Sequence, residues 1–112
     1  MKASKRAQEI FAEEIAELEK LKLSIDDSFD KVVDTIYNCK GKLVILGIGK
    51  TGIIGHKIAS SLASTGTPAI FINAAEAVHG DLGMIMKNDI AMLVSNSGTT
   101  NEIINVITPL RH

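Results

Sequence analysis

A glycine-rich turn at residues 47–52, G-I-G-K-T-G, holds the first side chains suited to chemistry. It lies between an apolar run and a helical pattern, where glycines permit a tight turn and helix amides can face an anion such as phosphate. The spacing also matches the dinucleotide motif G-x-G-x-x-G. That motif requires an acidic residue about 20 positions later, whereas Asn73 ends the second strand. A tight turn with a solvated Lys50 is the alternative if the segment is taken alone.

Residues 95–100, S-N-S-G-T-T, form a second polar segment directly after another apolar run. Four hydroxyls and one amide flank a single glycine there, ahead of a helical pattern, which is typical of a second phosphate-binding turn. If the strands are ordered 2-1-3, both turns line one crevice at the carboxyl edge of a parallel sheet. The sequence therefore predicts that both turns contact the same anionic group.

Three titratable residues accompany the two turns: Lys50 in the first, Glu102 just after the second, and His79 in a glycine-rich loop. Two of them have structural alternatives, because Glu102 can close a capping box that begins at Thr99 and His79 suits an ordinary turn. A lysine, a carboxylate and a histidine near a phosphate site together suggest proton transfer.

Two helices are predicted before the first strand. Apolar residues from Ile10 to Leu21 recur at intervals of three and four, which indicates one face of a helix. Ser24 is suited to the N-cap of a second helix, whose apolar stripe continues until Lys40-Gly41. Packing against a core or a partner subunit is the simplest interpretation of both stripes.

The rest of the chain alternates strands with helices. Continuous apolar runs predict strands at 43–46, 69–72 and 90–94. The helix between the first two ends at Gly66, a C-cap glycine, and another helix is predicted at 102–110. This order predicts an α/β fold with a parallel sheet and right-handed crossovers.

Composition limits the class of protein. The 112 residues suffice for one compact domain or part of one, and 46% hydrophobic with 22% charged residues is typical of a soluble protein. No apolar run reaches the roughly 18 residues of a membrane span, and the N-terminus lacks a secretory signal, so a cytoplasmic location is expected. Cys39 is the only cysteine, which excludes an intrachain disulfide. A net charge of −1 and few aromatic residues argue against nucleic acid as a partner.

Four motifs, in this order along the chain, resemble the arabinose 5-phosphate isomerase family, whose members contain the sugar isomerase (SIS) domain. The likeness extends from Gly41 to Arg111 without an evident gap. The motifs are Gly49-Lys50-Thr51-Gly52, then Ala63-Ser64-Thr65-Gly66-Thr67-Pro68-Ala69, then Glu76-Ala77 with His79-Gly80-Asp81-Leu82-Gly83-Met84, and finally Asp89 with Ser95-Asn96-Ser97-Gly98.

The resemblance implies a flavodoxin-like three-layer αβα parallel sheet, here truncated to about three strands and preceded by two N-terminal helices. Residues 1–40 would form the helical segment and residues 41–112 the first part of the SIS domain. The implied activity is interconversion of D-ribulose 5-phosphate and D-arabinose 5-phosphate through an enediolate, in the synthesis of Kdo for lipopolysaccharide or capsule. The implied assembly is a homo-oligomer, a dimer or tetramer, without a cofactor and without membrane partners.

The resemblance also assigns roles to residues. Lys50 and Glu102 fall on catalytic positions. The residues on substrate-contact positions are Gly66, Thr67 and His79, and those on phosphate-binding positions are Thr51, Ser95, Ser97 and Thr100, to which the adjacent amide of Asn96 is added.

Two departures from the family pattern limit the assignment. Family members often carry a His-Pro pair where this chain has Asn73-Ala74, so we expect no metal. The family also continues beyond the position of His112 with two strands, a further catalytic acid, a second histidine and tandem CBS modules, so we expect these 112 residues alone to be inactive. The rival functions are a non-catalytic SIS module that senses a phosphosugar and an isomerase of another sugar phosphate.

Overall fold

The computed structural model describes residues 2–77 and 79–96, and the chain divides into two compact units between Tyr37 and Asn38. The first unit contains two helices, α1 (Ala3–Ser24) and α2 (Asp27–Tyr37). None of the residues of either helix is buried, so the apolar stripes predicted from sequence lie on the surface of this unit. Among the helices that the structure describes, none combines the length and the hydropathy of a membrane span.

The junction between α1 and α2 corrects one prediction from sequence. The hydroxyl of Ser24 donates to the carbonyl of Leu21 at 2.6 Å, so Ser24 belongs to the end of α1. Asp26 takes the N-cap position instead, because its Oδ1 accepts from the amide of Ser28 at 2.9 Å and from the Ser28 hydroxyl at 2.6 Å. A carboxylate satisfies an otherwise unpaired helix amide more strongly than a serine hydroxyl does, and it also complements the helix dipole.

The second unit is built on a parallel sheet. Strand β1 (Leu43–Gly47) lies between β2 (Ala69–Asn73) and β3 (Ile90–Leu93), and both neighbours run parallel to it. Leu43 is paired with Ala69 on one side and with Ile90 on the other. The predicted α/β fold with a parallel sheet is therefore confirmed, and its strand order is 2-1-3, the order under which both polar turns would line one crevice. The helices of this unit are α3 (Gly49–Ser64), the short α4 (Ala74–Ala77) and a 3-10 turn (Asp81–Met84).

The core of the second unit surrounds β1, whose five residues are all buried. On one face, Val44 and Leu46 pack with Ile72 and Ala77, and Leu82 and Ile85 lie against this cluster. On the other face, α3 approaches so closely that a side chain at Gly55 would contact Ile45. Burial on both faces explains why β1 is a continuous apolar run rather than an alternating one.

The end of α3 returns the chain to the start of the sheet. Gly66 has a φ of +101°, a left-handed conformation that favours glycine. Its amide donates to the carbonyl of Ala63 at 3.3 Å, and the amide of Thr67 donates to the carbonyl of Leu62 at 2.9 Å. This pair of bonds is a Schellman motif, so the predicted C-cap role of Gly66 is confirmed.

An ion pair at the amino edge of the sheet connects the residues that precede β1 and β3. The Lys42 ammonium donates to Asp89 Oδ2 at 2.6 Å, and the amides of Lys42 and Met86 donate to the same carboxylate at 2.9 and 2.7 Å. The carboxylate is almost fully buried, with 3% of the side chain exposed. The hydrogen bond from the Lys42 ammonium and those from the two amides lower the pKa of Asp89 to about 2.

Candidate functional site

The carboxyl edge of the sheet brings the two predicted turns together. Strands β1 and β3 remain paired up to their ends, where the amide of Val94 donates to the carbonyl of Leu46 at 2.8 Å. The next residues along the chain are Gly47, the last of β1, and Ser95, two residues after the end of β3, and adjacent strands lie about 5 Å apart. The glycine turn and the start of the serine-rich segment therefore lie side by side on one edge.

Close packing requires glycine at position 47, whereas a side chain at Gly52 would be in ordinary van der Waals contact with the end of β1. A Cβ atom at Gly47 would lie 3.1 Å from Gly52 Cα and from the carbonyl oxygen of Thr51, both backbone atoms that cannot easily move. A Cβ at Gly52 would lie 3.4 Å from the carbonyl carbon of Gly47. Gly49, by contrast, has open space around it but a φ of +60°, which favours glycine for its backbone conformation. The G-x-G-x-x-G pattern thus fixes the first turn of α3 against the end of β1.

The first turn of α3 presents unpaired amides. The bond from the Gly52 amide to the Ile48 carbonyl, at 3.1 Å, is the first of the helical ladder, so the amides of Gly49, Lys50 and Thr51 precede it. The N-cap residue is Ile48, whose apolar side chain accepts no hydrogen bond from these amides. A helix terminus of this kind attracts anions through its free N–H groups and through its dipole.

Thr51 is less available to an anion than the sequence suggests. Its hydroxyl donates to the carbonyl of Ile48 at 2.7 Å, and the Ile48 amide makes only a long contact of 3.5 Å with the hydroxyl oxygen. A hydroxyl has a single proton to donate, so a hydrogen bond from the Thr51 side chain to a phosphate would require it to leave Ile48. The predicted contact of Thr51 with phosphate is more readily made by its backbone amide.

Lys50 provides a positive charge at the same turn. It is the second residue of α3, its side chain is exposed, and it takes part in none of the ion pairs among the described residues. On the neighbouring strand end, Ser95 is half-buried and Asn96 is exposed. The described part of the site therefore combines one ammonium, a set of helix amides, a hydroxyl and an amide side chain.

Gly66 and Thr67 lie at the opposite edge of the sheet. Pro68, which follows them, accepts a hydrogen bond from the amide of Leu43 at 2.9 Å, and Leu43 is the first residue of β1. Five strand residues separate the two edges, which is about 16 Å at 3.3 Å per residue. Gly66 and Thr67 therefore lie away from the turns at the carboxyl edge, and their predicted substrate contacts stay predictions.

His79 follows a cap that the sequence analysis did not identify. Asn73 ends β2, and its Oδ1 accepts from the amide of Ala75 at 2.9 Å, which starts α4 at the carboxyl edge. Asn73 with Glu76 three residues later has the spacing of a capping box, a signal that could have predicted this cap. The amide of His79 donates to the Glu76 carbonyl at 3.0 Å, and its side chain is exposed. His79 thus lies one short helix beyond the strand end.

The remaining predicted site residues, Ser97, Thr100 and Glu102, lie outside the described residues, as does the helix predicted at 102–110. Among the residues that are described, no three histidine, cysteine, aspartate or glutamate side chains are grouped closely enough to hold a metal ion. The roles assigned to Glu102 and to the later hydroxyls therefore stay predictions.

The fold and this edge define an α/β protein with a glycine-rich turn where the central strand of a parallel sheet meets a helix. The chain belongs to the SIS domain family, whose model matches residues 35–111. The family that the sequence motifs indicated is thereby confirmed, and its fold agrees with the three-stranded sheet described here.

Two curated relatives illustrate how much of a family member this chain covers. The arabinose 5-phosphate isomerase KdsD of Francisella tularensis subsp. tularensis is 49% identical over 109 residues, which are 95% of this chain and 33% of that protein. The protein of the same name from Yersinia pestis is 46% identical over 109 residues, 97% of this chain and 32% of that protein. The chain thus spans about a third of the length of the curated relatives that it matches.

A solved structure shows the same fold. A protein of E. coli CFT073, determined in complex with arabinose 5-phosphate, superposes with a TM-score of 0.84 and is 40% identical. The match covers 99% of this chain and 61% of that one. The arrangement of helices and strands described above is therefore that of a protein whose structure contains this sugar phosphate.

Proposed function

We propose that this chain is part of a sugar-phosphate isomerase, and that its substrates are D-ribulose 5-phosphate and D-arabinose 5-phosphate. The observation that carries the proposal is the side-by-side position of the amides at the start of α3 and of Ser95 at the end of β3. Donors from two different elements at one edge suit a phosphoryl group, which has acceptor oxygens on several sides. The proposal includes a cytoplasmic location, in keeping with an enzyme of intermediary metabolism.

Isomerisation of an aldose to a ketose requires a proton to move between neighbouring carbons. A base removes the proton from the carbon beside the carbonyl, negative charge develops on the carbonyl oxygen in the enediolate, and the proton returns to the other carbon. Lys50 is suited to stabilise that oxygen or the phosphate, because it is an exposed residue in the first turn of α3. The carboxylate for the proton shuttle is assigned to Glu102 by family resemblance alone.

The comparisons support the substrate class. Relatives that align with almost the whole of this chain carry the name arabinose 5-phosphate isomerase, and the similar structure from E. coli CFT073 contains that sugar phosphate. Phosphate-binding elements are shared among enzymes that use different sugars, so the turns support a sugar phosphate in general. The choice of a pentose is the more specific part of the proposal, and it rests on these comparisons.

The direct test measures binding and turnover in the full-length protein. We expect a panel of pentose and hexose phosphates to raise the melting temperature most for arabinose 5-phosphate and ribulose 5-phosphate, because a ligand stabilises the folded state that binds it. NAD should give no shift. Preference for a hexose phosphate would contradict the pentose but retain the isomerase class, whereas no shift with any sugar phosphate would contradict the whole proposal.

Glu102→Gln separates an isomerase from a sensor. This substitution keeps the shape of the side chain but removes the base, so an isomerase should lose turnover by at least about 100-fold while its thermal shift with sugar phosphate persists. Gln8→Glu, a charge change of equal size on α1, is the matched control and should leave turnover unchanged. An unchanged turnover in Glu102→Gln would show that this residue is not the base.

A further inference from the structure

We propose that a pocket at the amino edge of the sheet, on the opposite side from the glycine-rich turn, binds a small anion with two linked phosphoryl groups. The pocket is open to solvent and has a volume of about 450 Å³. Small-molecule sites have volumes of roughly 300–1,000 Å³, so this one is large enough for such a ligand. Its walls come from the segments that precede the three strands, namely residues 40–42, Pro68 and residues 86–89. None of these residues belongs to the proposed isomerase site, so the two proposals are independent.

The pocket is positively charged, although the chain as a whole is slightly acidic. Its basic residues are Lys40, Lys42 and Lys87. The one carboxylate among the lining residues is that of Asp89. Three positive charges against one negative charge leave +2 at the pocket, whereas the formal net charge of the chain is −1. A local excess of this kind within a concave surface attracts anions.

The carboxylate of Asp89 is already satisfied by donors of the protein. It accepts the Lys42 ammonium at 2.6 Å and the amides of Lys42 and Met86 at 2.9 and 2.7 Å, and only 3% of its side chain is exposed. Lys40 and Lys87 are both exposed, and they take part in none of the ion pairs found in the described part of the chain. Two ammonium groups at the pocket are therefore available to a ligand.

The segments that carry these two lysines are packed against each other. A Cβ atom at Gly41 would lie 2.7 Å from the carbonyl oxygen of Asn88, so the two backbones are in direct contact there. A hydrogen bond of 3.0 Å between the first and last residues closes the turn at 86–89. Lys40 precedes Gly41 and Lys87 precedes Asn88, so both lysines extend from backbone that is already positioned. Binding is favoured when the protein need not bring its charges together first.

Two linked phosphoryl groups suit this arrangement better than one. A lysine ammonium binds phosphate as a compact point charge on a long flexible side chain. Because Lys40 and Lys87 extend from different segments, each can pair with a separate phosphoryl group of the same ligand. The exposed side-chain amide of Asn88 adds two further donors at the tip of the turn. A diphosphate, free or attached to an organic group, therefore fits the charge and the donors of the pocket.

The test measures the reactivity of individual lysines in the full-length protein. Acetylation with an amine-reactive reagent, followed by mass spectrometry, reports each lysine separately, so binding at this pocket is distinguished from binding near Lys50. With saturating pyrophosphate, the acetylation rates of Lys40 and Lys87 should fall by at least about fivefold. Lys57, an exposed lysine on α3, is the control and should react at an unchanged rate. No protection of Lys40 and Lys87, or equal protection of Lys57, would overturn the proposal.

Two further probes define the ligand. Orthophosphate at the same concentration should protect both lysines less than pyrophosphate does, and equal protection would overturn the requirement for two phosphoryl groups. A nucleoside diphosphate tests whether an organic group contributes. Equal protection by the nucleotide and by pyrophosphate would support recognition of the diphosphate alone. Stronger protection by the nucleotide would support an additional contact with Pro68 and Met86, the apolar residues of the pocket.

Two substitutions check the position of the site. Asn88→Asp keeps the shape of an exposed side chain but adds a negative charge, so the pyrophosphate concentration for half-maximal protection of Lys40 should rise by at least about fivefold. Gln8→Glu on α1 makes the same chemical change and should have no effect. Lys50→Met alters only the proposed isomerase site and should leave this protection intact. An unchanged midpoint in Asn88→Asp, or loss of protection in Lys50→Met, would overturn the proposal.

Discussion

Lys50 is the described side chain on which the proposed chemistry most depends, because it is the ammonium at the start of α3. Lys50→Met removes the charge while keeping a chain of similar length. In the full-length protein we expect kcat/KM for arabinose 5-phosphate to fall by at least about 100-fold, since a preorganised charge beside a developing oxyanion contributes about that much. The protein should still melt at an unchanged temperature, because Lys50 is exposed.

The matched control for this prediction is Lys57→Met. Lys57 is an exposed lysine on the same helix, two turns further from the sheet edge, and its substitution should leave kcat/KM unchanged. If the KM for sugar phosphate rises without a change in kcat in Lys50→Met, the ammonium binds the phosphate. If kcat falls, it stabilises the enediolate. Equal activity of both variants would contradict any role of Lys50 in the reaction.

Asp89 gives a prediction about stability and pH. Its pKa is lowered from 3.8 to about 2, so the folded state binds this proton less readily than the unfolded state. The stabilisation is therefore fully present above about pH 4 and is lost as the pH falls towards 2. Asp89→Asn should unfold at a lower urea concentration at pH 7, and the difference from the parent protein should narrow between pH 4 and pH 2.

A matched control for Asp89→Asn is Asp81→Asn. Asp81 is an exposed aspartate of the same unit, and it takes part in none of the ion pairs of the described residues. Its substitution should leave the urea midpoint nearly unchanged at both pH values. A difference between parent and Asp89→Asn that stays constant from pH 7 to pH 2 would show that the Lys42 contact does not depend on the charge of the carboxylate.

At the residue scale, the sequence predicted the positions of glycines better than the contacts of side chains. Glycine positions were predictable because only glycine has the required backbone freedom or lack of a side chain, as at Gly49 and Gly66. The hydroxyl of Thr51 was predicted to contact phosphate, but whether a hydroxyl turns outward or back to Ile48 depends on its rotamer, which residue types do not specify. Thr67 was assigned by motif, and a motif carries no information on which sheet edge it reaches.

At the scale of elements, the contact between β1 and α3 positions the glycine-rich turn at 47–52. Gly47→Ala would place a Cβ 3.1 Å from backbone atoms of Thr51 and Gly52, so the first turn of α3 must move away from the strand. We expect a loss of about 1–3 kcal/mol in the free energy of unfolding, typical of overpacking. The displaced amides should also weaken sugar-phosphate binding, measured by calorimetry on the full-length protein.

Gly83→Ala is the control for the same change elsewhere. A Cβ at Gly83 meets no atom within 4 Å, and Gly83 does not have a positive φ, so this substitution should leave both stability and binding unchanged. Equal effects of the two substitutions would indicate a general response to alanine rather than a displacement of α3. Weakened stability with full binding in Gly47→Ala would show that the turn tolerates movement of the helix.

Elements were predictable where the apolar pattern was long enough to have a period. The run of buried residues from Leu43 to Leu46 specified a central strand, and the periodic stripe of α1 specified a helix. The four-residue α4 and the 3-10 turn at Asp81–Met84 were not predicted. Four residues span about one helical turn, which is too short for the apolar residues to show a helical period. The cap of α2 was placed two residues early because Ser24 and Asp26 are both good N-caps, and hydrogen bonding decided between them.

At the scale of the molecule, the described sheet ends in a strand that is less protected than its neighbour. All five residues of β1 are buried, whereas every residue of β3 is only half-buried, and β3 lies at one side of the described sheet. A strand at the side of a sheet has unpaired backbone groups that favour association with another strand. Since the curated relatives are about three times longer, we expect further elements of the whole protein to complete this side.

The 112-residue chain and the full-length protein should differ more in turnover than in ligand binding. The short chain has the glycine-rich turn and the first amides of α3, which are held by β1 and Gly47 within the chain itself, so under the proposed function it should retain weak sugar-phosphate binding. Its isomerase activity should be lower by at least about 1000-fold, since proton transfer loses most of its rate when the base is not held in position. A coupled assay of both proteins with ribulose 5-phosphate, with Lys50→Met of the full-length protein as a reference for impaired turnover, measures this. Comparable kcat values would show that everything the reaction requires lies within these 112 residues, and that elements added beside β3 in a longer protein have no part in forming the site.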